Sequence, residues 1–359
     1  MAVENCRCRH SAGRHSVRRG RFEEFSDGHM ADVNQSVLNN VSTTIDTTEM
    51  MRKRSTIIKA TLILTSALIA LYMSACAYVW TQQEHYIFMP QRVIATTPTD
   101  YRLPFEDVYI TLNGLLDSTE RLHAWYIPAA DGANKKVLLY LHGSALNIGA
   151  NIAHAQRFRG MGFSVFLLSY RGYGKSDGTF PSEELIYADA EAAWNHLKED
   201  RDVDPQSIFI YGHSLGGAVA IHLATNHPDA GGLIVEGSFT SIAELARLYP
   251  QYRLLPLDLI INQRFDSINK VSHLEVPVLY IHGTSDERVP FEMSQELYSH
   301  TTSAKQIKLI LGGGHNNTAA IGGNEYLQTV KDFVIFANNH RPSASPDGKQ
   351  ILSRHKRLI

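Results

Sequence analysis

The chain has 359 residues, 44% of them hydrophobic and 19% charged, and a formal net charge of −2. That is ample apolar material for one large α/β domain or two small ones, and the near-neutral balance gives no reason to expect a nucleic-acid partner, although both ends of the chain are basic. Cys6, Cys8 and Cys76 are the three cysteines, so everything after residue 76 lacks both a disulfide framework and a cysteine metal site.

Residues 1–50 are rich in Arg, Ser, Thr and Asn with little apolar periodicity, and they read as disordered. An Arg-rich start suggests a transit peptide, but Glu4, Glu23, Glu24 and Asp27 speak against one. Met50 and Met51 precede Arg52-Lys53-Arg54, so residues 1–55 are expected to be a disordered or mis-assigned extension. From Ala60 to Trp80 no residue is charged, and about 20 such residues cross a bilayer as a helix. Arg52, Lys53, Arg54 and Lys59 lie before this run and Gln82, Gln83 and Glu84 after it, which puts the large C-terminal part outside the cytoplasm. Ser74-Ala75-Cys76 adds a second version, since a cysteine behind two small residues resembles a bacterial lipoprotein signal with Cys76 as the lipidated residue. Residues 56–80 are thus expected to be a single-pass anchor or a lipoprotein-type signal.

Strand-like and helix-like runs then alternate. Residues 108–111 and 122–127 read as early strands, 137–142 and 164–170 as strands buried on both faces, and 183–199 as a helix. Ser207-Ile208-Phe209-Ile210-Tyr211 runs into Gly212-His213-Ser214-Leu215-Gly216 and then into small and apolar residues of a helix. Further strands fall at 233–235, 278–281 and 307–310, and a last helix at 324–338. This alternation argues for a mainly parallel sheet with right-handed crossovers. Residues 238–274 form an apolar insertion, and 341–359 a solvated basic tail carrying Arg341, Lys349, Arg354, Lys356 and Arg357.

Two stretches fit Gly-x-Ser-x-Gly, a pattern met by chance in roughly one chain in ten of this length. Gly174-Lys175-Ser176-Asp177-Gly178 is followed by Thr179-Phe180-Pro181, with no helix start, so Ser176 reads as a loop residue. Ser214 sits between a strand and a helix, on the sharp turn that lifts a nucleophilic hydroxyl above a sheet edge. Behind later strands stand Asp286 and His315, giving the order serine, acid, histidine. His315 would take the Ser214 proton and return it to the leaving group, and Asp286 would fix the imidazole tautomer. Glu236 is the competing acid. The backbone N–H groups of Ser144 and Leu215 are candidates for an oxyanion hole, with His142 as a structural histidine.

Leu141-His142-Gly143-Ser144, Ser169-Tyr170-Arg171-Gly172-Tyr173-Gly174-Lys175-Ser176, Gly212-His213-Ser214-Leu215-Gly216-Gly217, His282-Gly283-Thr284-Ser285-Asp286 and Gly314-His315 together resemble the α/β-hydrolase superfamily. The resemblance is to membrane-anchored α/β-hydrolase-domain proteins and the serine-aminopeptidase-like group, over roughly residues 85–337. It implies an α/β-hydrolase domain at 81–340, with helices on both sheet faces and a short cap at 238–274. Close relatives carry Asn where this chain has Ser144, a departure that leaves a backbone N–H in place. The resemblance also implies an acyl-serine mechanism without metal or organic cofactor, acting on small-molecule esters or thioesters. A peptidase with the same triad and a non-catalytic, membrane-tethered interaction protein are the other readings.

Overall fold

In a computed structural model of the chain, residues 28–113, 119–130 and 135–341 are described. The first element is a 60-residue helix, α1 (Gly28–Ile87). From residue 29 to 89 the sequence holds neither Gly nor Pro, so nothing interrupts the hydrogen-bond ladder. The threonines that suggested disorder join the helix instead: the Thr44 and Thr48 hydroxyls donate to the carbonyls of Asn40 and Thr44 four residues back. For residues 28–55 the expectation of disorder therefore gives way to helix, while residues 1–27 and the tail beyond 341 lie outside the described residues.

Among the described residues, those up to 72 form one compact unit and those from 73 onward another. In the first, the apolar side chains of α1 are bare, Leu62 at 62% exposure, Ile63 at 70% and Leu71 at 68%. Within the described residues this is the one helix long and apolar enough to cross a membrane. A core helix of a soluble domain would bury such a face.

The second unit is built on an eight-stranded sheet. Its strands are β2 (Glu106–Asn113), β3 (Thr119–Ile127), β4 (Val137–Leu141), β6 (Ser164–Ser169), β7 (Ile208–His213), β8 (Gly232–Glu236), β9 (Val278–Gly283) and β10 (Lys305–Ile310), in the order β10-β9-β8-β7-β4-β6-β3-β2. β3 pairs antiparallel with both β2 and β6, and the remaining pairs are parallel. Two-residue strands β1 (Met89–Pro90) and β5 (Ala145–Leu146) pair separately.

Every residue of β4 is buried, because alternate side chains enter different cores. Val137, Leu139 and Leu141 join the core covered by α3 (Glu183–Asn195) and α4 (Leu215–Asn226). Leu138 and Tyr140 join the one covered by α2 (Ile152–Gly160) and α8 (Thr318–His340). Gly323, at φ 46°, breaks α8 and separates a short first segment from the helix expected from 324. The insertion at 238–274 supplies short helices α5 (Ile242–Arg247) and α6 (Leu257–Ile260), and α7 (Phe291–His300) lies between β9 and β10.

Candidate active site

β7 enters α4 through Ser214, which holds φ 55° and ψ −121°. A non-glycine residue there costs on the order of 1–3 kcal/mol, sustained only by its surroundings. The surroundings are tight. A Cβ on Gly212 would lie 2.1 Å from the Gly216 carbonyl oxygen, and a Cβ on Gly216 would lie 2.1 Å from that of Leu141. Only glycine allows β4, β7 and α4 to meet this closely. The Ser214 N–H donates to the Glu236 carbonyl at 2.9 Å, and the Ser214 carbonyl accepts from the Ser238 hydroxyl at 2.9 Å.

The loops after β9 and β10 interlock in the same way, since a Cβ on Gly283 would meet the Gly313 carbonyl at 2.2 Å. Ser285 N–H donates to Gly313 O at 2.8 Å, so the segment bearing Asp286 is tied to the one bearing His315. The Ser214 Oγ lies 3.0 Å from His315 Nε2, and His315 Nδ1 lies 2.7 Å from Asp286 Oδ2. Since a carboxylate only accepts, Nδ1 carries the hydrogen and Nε2 is left to accept from Ser214.

The Asp286 side chain is buried, only 1% exposed. Burial alone raises its pKa, but hydrogen bonds from His282, His315 and the Val289 N–H outweigh this and hold the carboxyl well below the usual range. The backbone N–H groups of Arg288 and Val289 both donate to Oδ1 at 2.9 Å.

His282 escaped the sequence reading. Its Nε2 lies 3.2 Å from Asp286 Oδ2 and 2.9 Å from the Val289 carbonyl, while Nδ1 lies 2.6 Å from the Ser294 hydroxyl. Two acceptors on one nitrogen require the proton at Nε2, so Asp286 is oriented by a histidine on each side. His213 also has a part, because its Nε2–H donates to the His315 carbonyl at 2.8 Å. The signals were the histidine four residues before Asp286 and the one just before Ser214, but neither spacing reveals the partner.

Glu236 faces elsewhere. Its Oε2 accepts from the hydroxyls of Tyr211 at 2.8 Å and Tyr326 at 2.5 Å, deep between the sheet and α8, and the acid beside His315 is Asp286. Ser176 is buried, donating to Ser169 O at 2.6 Å and accepting from the His123 N–H at 2.9 Å, as befits a loop residue.

Ser144 and Leu215 border the same cavity as Ser214 and His315. Leu215 opens α4, so its N–H is one of the first-turn donors that no carbonyl of the helix reaches. The peptide carrying the Ser144 N–H is held at its other end, where His142 Nδ1 lies 2.7 Å from the Gly143 carbonyl. His142 is fully buried, and this pushes its pKa down to about 4, so a neutral ring donates that bond. The Ser144 carbonyl accepts from the Tyr173 hydroxyl at 2.6 Å and from the Met89 N–H at 3.0 Å.

The cavity above Ser214 has a volume of about 510 Å³, within the range of about 300–1,000 Å³ typical of ligand pockets. Phe239, Leu245, Tyr249 and Leu257 of the insertion give it an apolar lining, and no Asp or Glu of the described residues borders it. Cys76, buried at 6% exposure, lies on α1.

Residues 132–267 match the family model described as serine aminopeptidase, S33. An uncharacterized protein of Mycobacterium tuberculosis is 33% identical over 270 residues, 75% of this chain and 93% of that protein. An α/β-hydrolase domain-containing protein of Arabidopsis thaliana is 30% identical over 273 residues, 70% of this chain and 87% of the relative. Similar solved structures include an esterase of Pyrococcus furiosus, with TM-score 0.57 and 22% identity over 70% of this chain and 98% of that one. Another is Est1E of Butyrivibrio proteoclasticus with ferulic acid bound, with TM-score 0.54 and 20% identity over 65% of this chain and 99% of that one.

Proposed function

This chain belongs to the α/β-hydrolase superfamily, and on that premise we propose that it is a serine hydrolase that cleaves carboxylic esters or thioesters through an acyl-Ser214 intermediate. The observation that carries the reading is the run of contacts Ser214 Oγ to His315 Nε2 at 3.0 Å and His315 Nδ1 to Asp286 Oδ2 at 2.7 Å, at the floor of an apolar cavity. Ser214 Oγ attacks the acyl carbonyl as His315 Nε2 takes its proton. The tetrahedral oxyanion accepts from the N–H groups of Ser144 and Leu215, each worth about a hundred- to a thousandfold in rate. Collapse breaks the bond to the alcohol or thiol, which leaves with the proton from His315. Water then attacks the acyl-serine and gives a proton to His315; collapse breaks the acyl–Oγ bond, His315 returns that proton to Ser214 Oγ, and the acid departs. Asp286 stays ionised throughout, stabilising the imidazolium.

The lining supports esters over peptides. An aminopeptidase must hold a substrate ammonium beside an anion, and among the described residues no Asp or Glu borders this cavity; Glu287 lines the adjoining cavity that also touches His315 and Arg288. The small-molecule acyl substrate comes to an enzyme tethered to a membrane, through residues 60–80 or through a lipid on Cys76, with its hydrolase domain on the non-cytoplasmic side. The basic residues Arg52 to Lys59 ahead of the apolar run support that orientation.

The test is turnover of p-nitrophenyl esters beside aminoacyl anilides. Ester hydrolysis should exceed anilide hydrolysis, and Ser214→Ala should lower it at least about a thousandfold. Preferential anilide cleavage would overturn the esterase reading.

A further inference from the structure

One wall of the cavity over Ser214 comes from neither the sheet nor the insertion but from the end of α1. Val79, Gln83, Tyr86 and Ile87 all border it. Their spacing, i, i+4, i+7 and i+8, is a single helical stripe. Across the cavity stand Leu245, Ala246 and Tyr249.

These last turns are fastened to the insertion by a buried side chain. Gln83 is 4% exposed, and its Oε1 accepts from the backbone N–H of Asn262 at 2.8 Å and of Gln263 at 3.1 Å. Its Nε2 donates to the Trp80 carbonyl at 2.7 Å and to the Ile260 carbonyl at 3.3 Å. A residue that satisfies both ends of its amide in this way holds a defined geometry. Phe88 continues the seam, edge-on to Phe180 and Phe265 with ring centroids 6.4 and 6.0 Å away.

The uncharged run that ends at Trp80 overlaps the wall that begins at Val79. At 1.5 Å rise per residue, Ile87 lies only about 10 Å along the helix from the end of that run. Tyr78 and Trp80, 58% and 54% exposed, are the aromatic residue types that favour the interface between lipid and water. Tyr86 borders the cavity and is itself 52% exposed, so it stands where the cavity opens. Both tethers keep this wall, since cleavage ahead of Cys76 would leave residues 79–87 in the mature chain.

Resting on the serine hydrolase reading, we propose that residues 79–87 are a substrate-binding element and that the substrate is a long-chain acyl ester resident in a lipid bilayer. Its chain passes Tyr86 and lies between α1 and α5, with the ester carbonyl at Ser214.

The full-length chain in phosphatidylcholine vesicles tests this, using the ratio of kcat/KM for p-nitrophenyl dodecanoate to that for p-nitrophenyl acetate. Val79→Trp and Ala246→Trp fill the cavity from opposite walls and should each lower the ratio at least tenfold. Ala77→Trp, on an exposed part of α1, should leave the ratio within twofold of the unsubstituted chain. In addition, a dodecanoyl ester embedded in the enzyme's own vesicles should turn over at least fivefold faster than the same ester in separate vesicles. An unchanged ratio in both cavity variants, or equal rates in the two vesicle arrangements, overturns the inference while ester turnover upholds the hydrolase reading. If the unsubstituted chain cleaves neither ester, that reading fails and the inference with it.

Discussion

Three histidines set the stage for Ser214 without touching a substrate: His142 holds the peptide that presents the Ser144 N–H, His213 holds the His315 carbonyl, and His282 holds Asp286. Burial pushes both His142 and His213 down to about 4, so each donates its bond as a neutral ring. For His142, which is fully buried, this has a consequence for stability. An unfolded histidine titrates near 6.5, so between about 6.5 and 4 the unfolded chain binds a proton that the folded chain refuses. The stability His142 contributes is present above pH 6.5 and is lost as pH falls, by about 1.4 kcal/mol per pH unit. In urea unfolding, the advantage of the unsubstituted chain over His142→Gln should therefore shrink from pH 7 to pH 4.5. An advantage constant across that range would contradict the assignment. Of the candidate site residues, Ser214, Asp286 and His315 could be singled out in the sequence because each follows an apolar run that ends in a glycine-containing turn. His142 read as a structural histidine and does bond loop backbone, at Gly143. The parts of His213 and His282 were not legible, because His213 meets a carbonyl 102 residues away and a spacing of four before Asp286 does not by itself reveal a bond.

The element whose role changes most is α1. Its apolar run was legible from the absence of charge between residues 60 and 80, but its last turns as a cavity wall were not. Gln83 read only as polar flank, and nothing local reveals that its amide meets the backbone of residues 260–263, some 180 positions later. The helix between 28 and 50 was hidden by polar composition, although the unbroken absence of Gly and Pro was the available clue. The proposed orientation of α1 is open to a direct check. In sealed vesicles with the outer face of the membrane exposed, added protease should digest the domain after residue 81, and full protection would contradict the assignment.

At the scale of the whole molecule, the parallel strands were readable because β4, β6 and β8 are buried along their full length and so carry continuous apolar runs. The antiparallel course of β3 was not, since strand order depends on pairing between distant segments rather than on the composition of either. That order makes β7 the neighbour of both β4 and β8, so the turn bearing Ser214 meets the Ser144 loop on one side and the Glu236 carbonyl on the other. The adjacent β9 and β10 then bring Asp286 and His315 to the same end of the sheet. The central claim is that this assembly makes Ser214 a nucleophile, and it is tested most directly by reaction with a fluorophosphonate followed by peptide mass mapping. A single adduct is expected on Ser214, absent from Ser214→Ala and strongly slowed in His315→Ala. No adduct on Ser214, or equal labelling of Ser214→Ala, would contradict it.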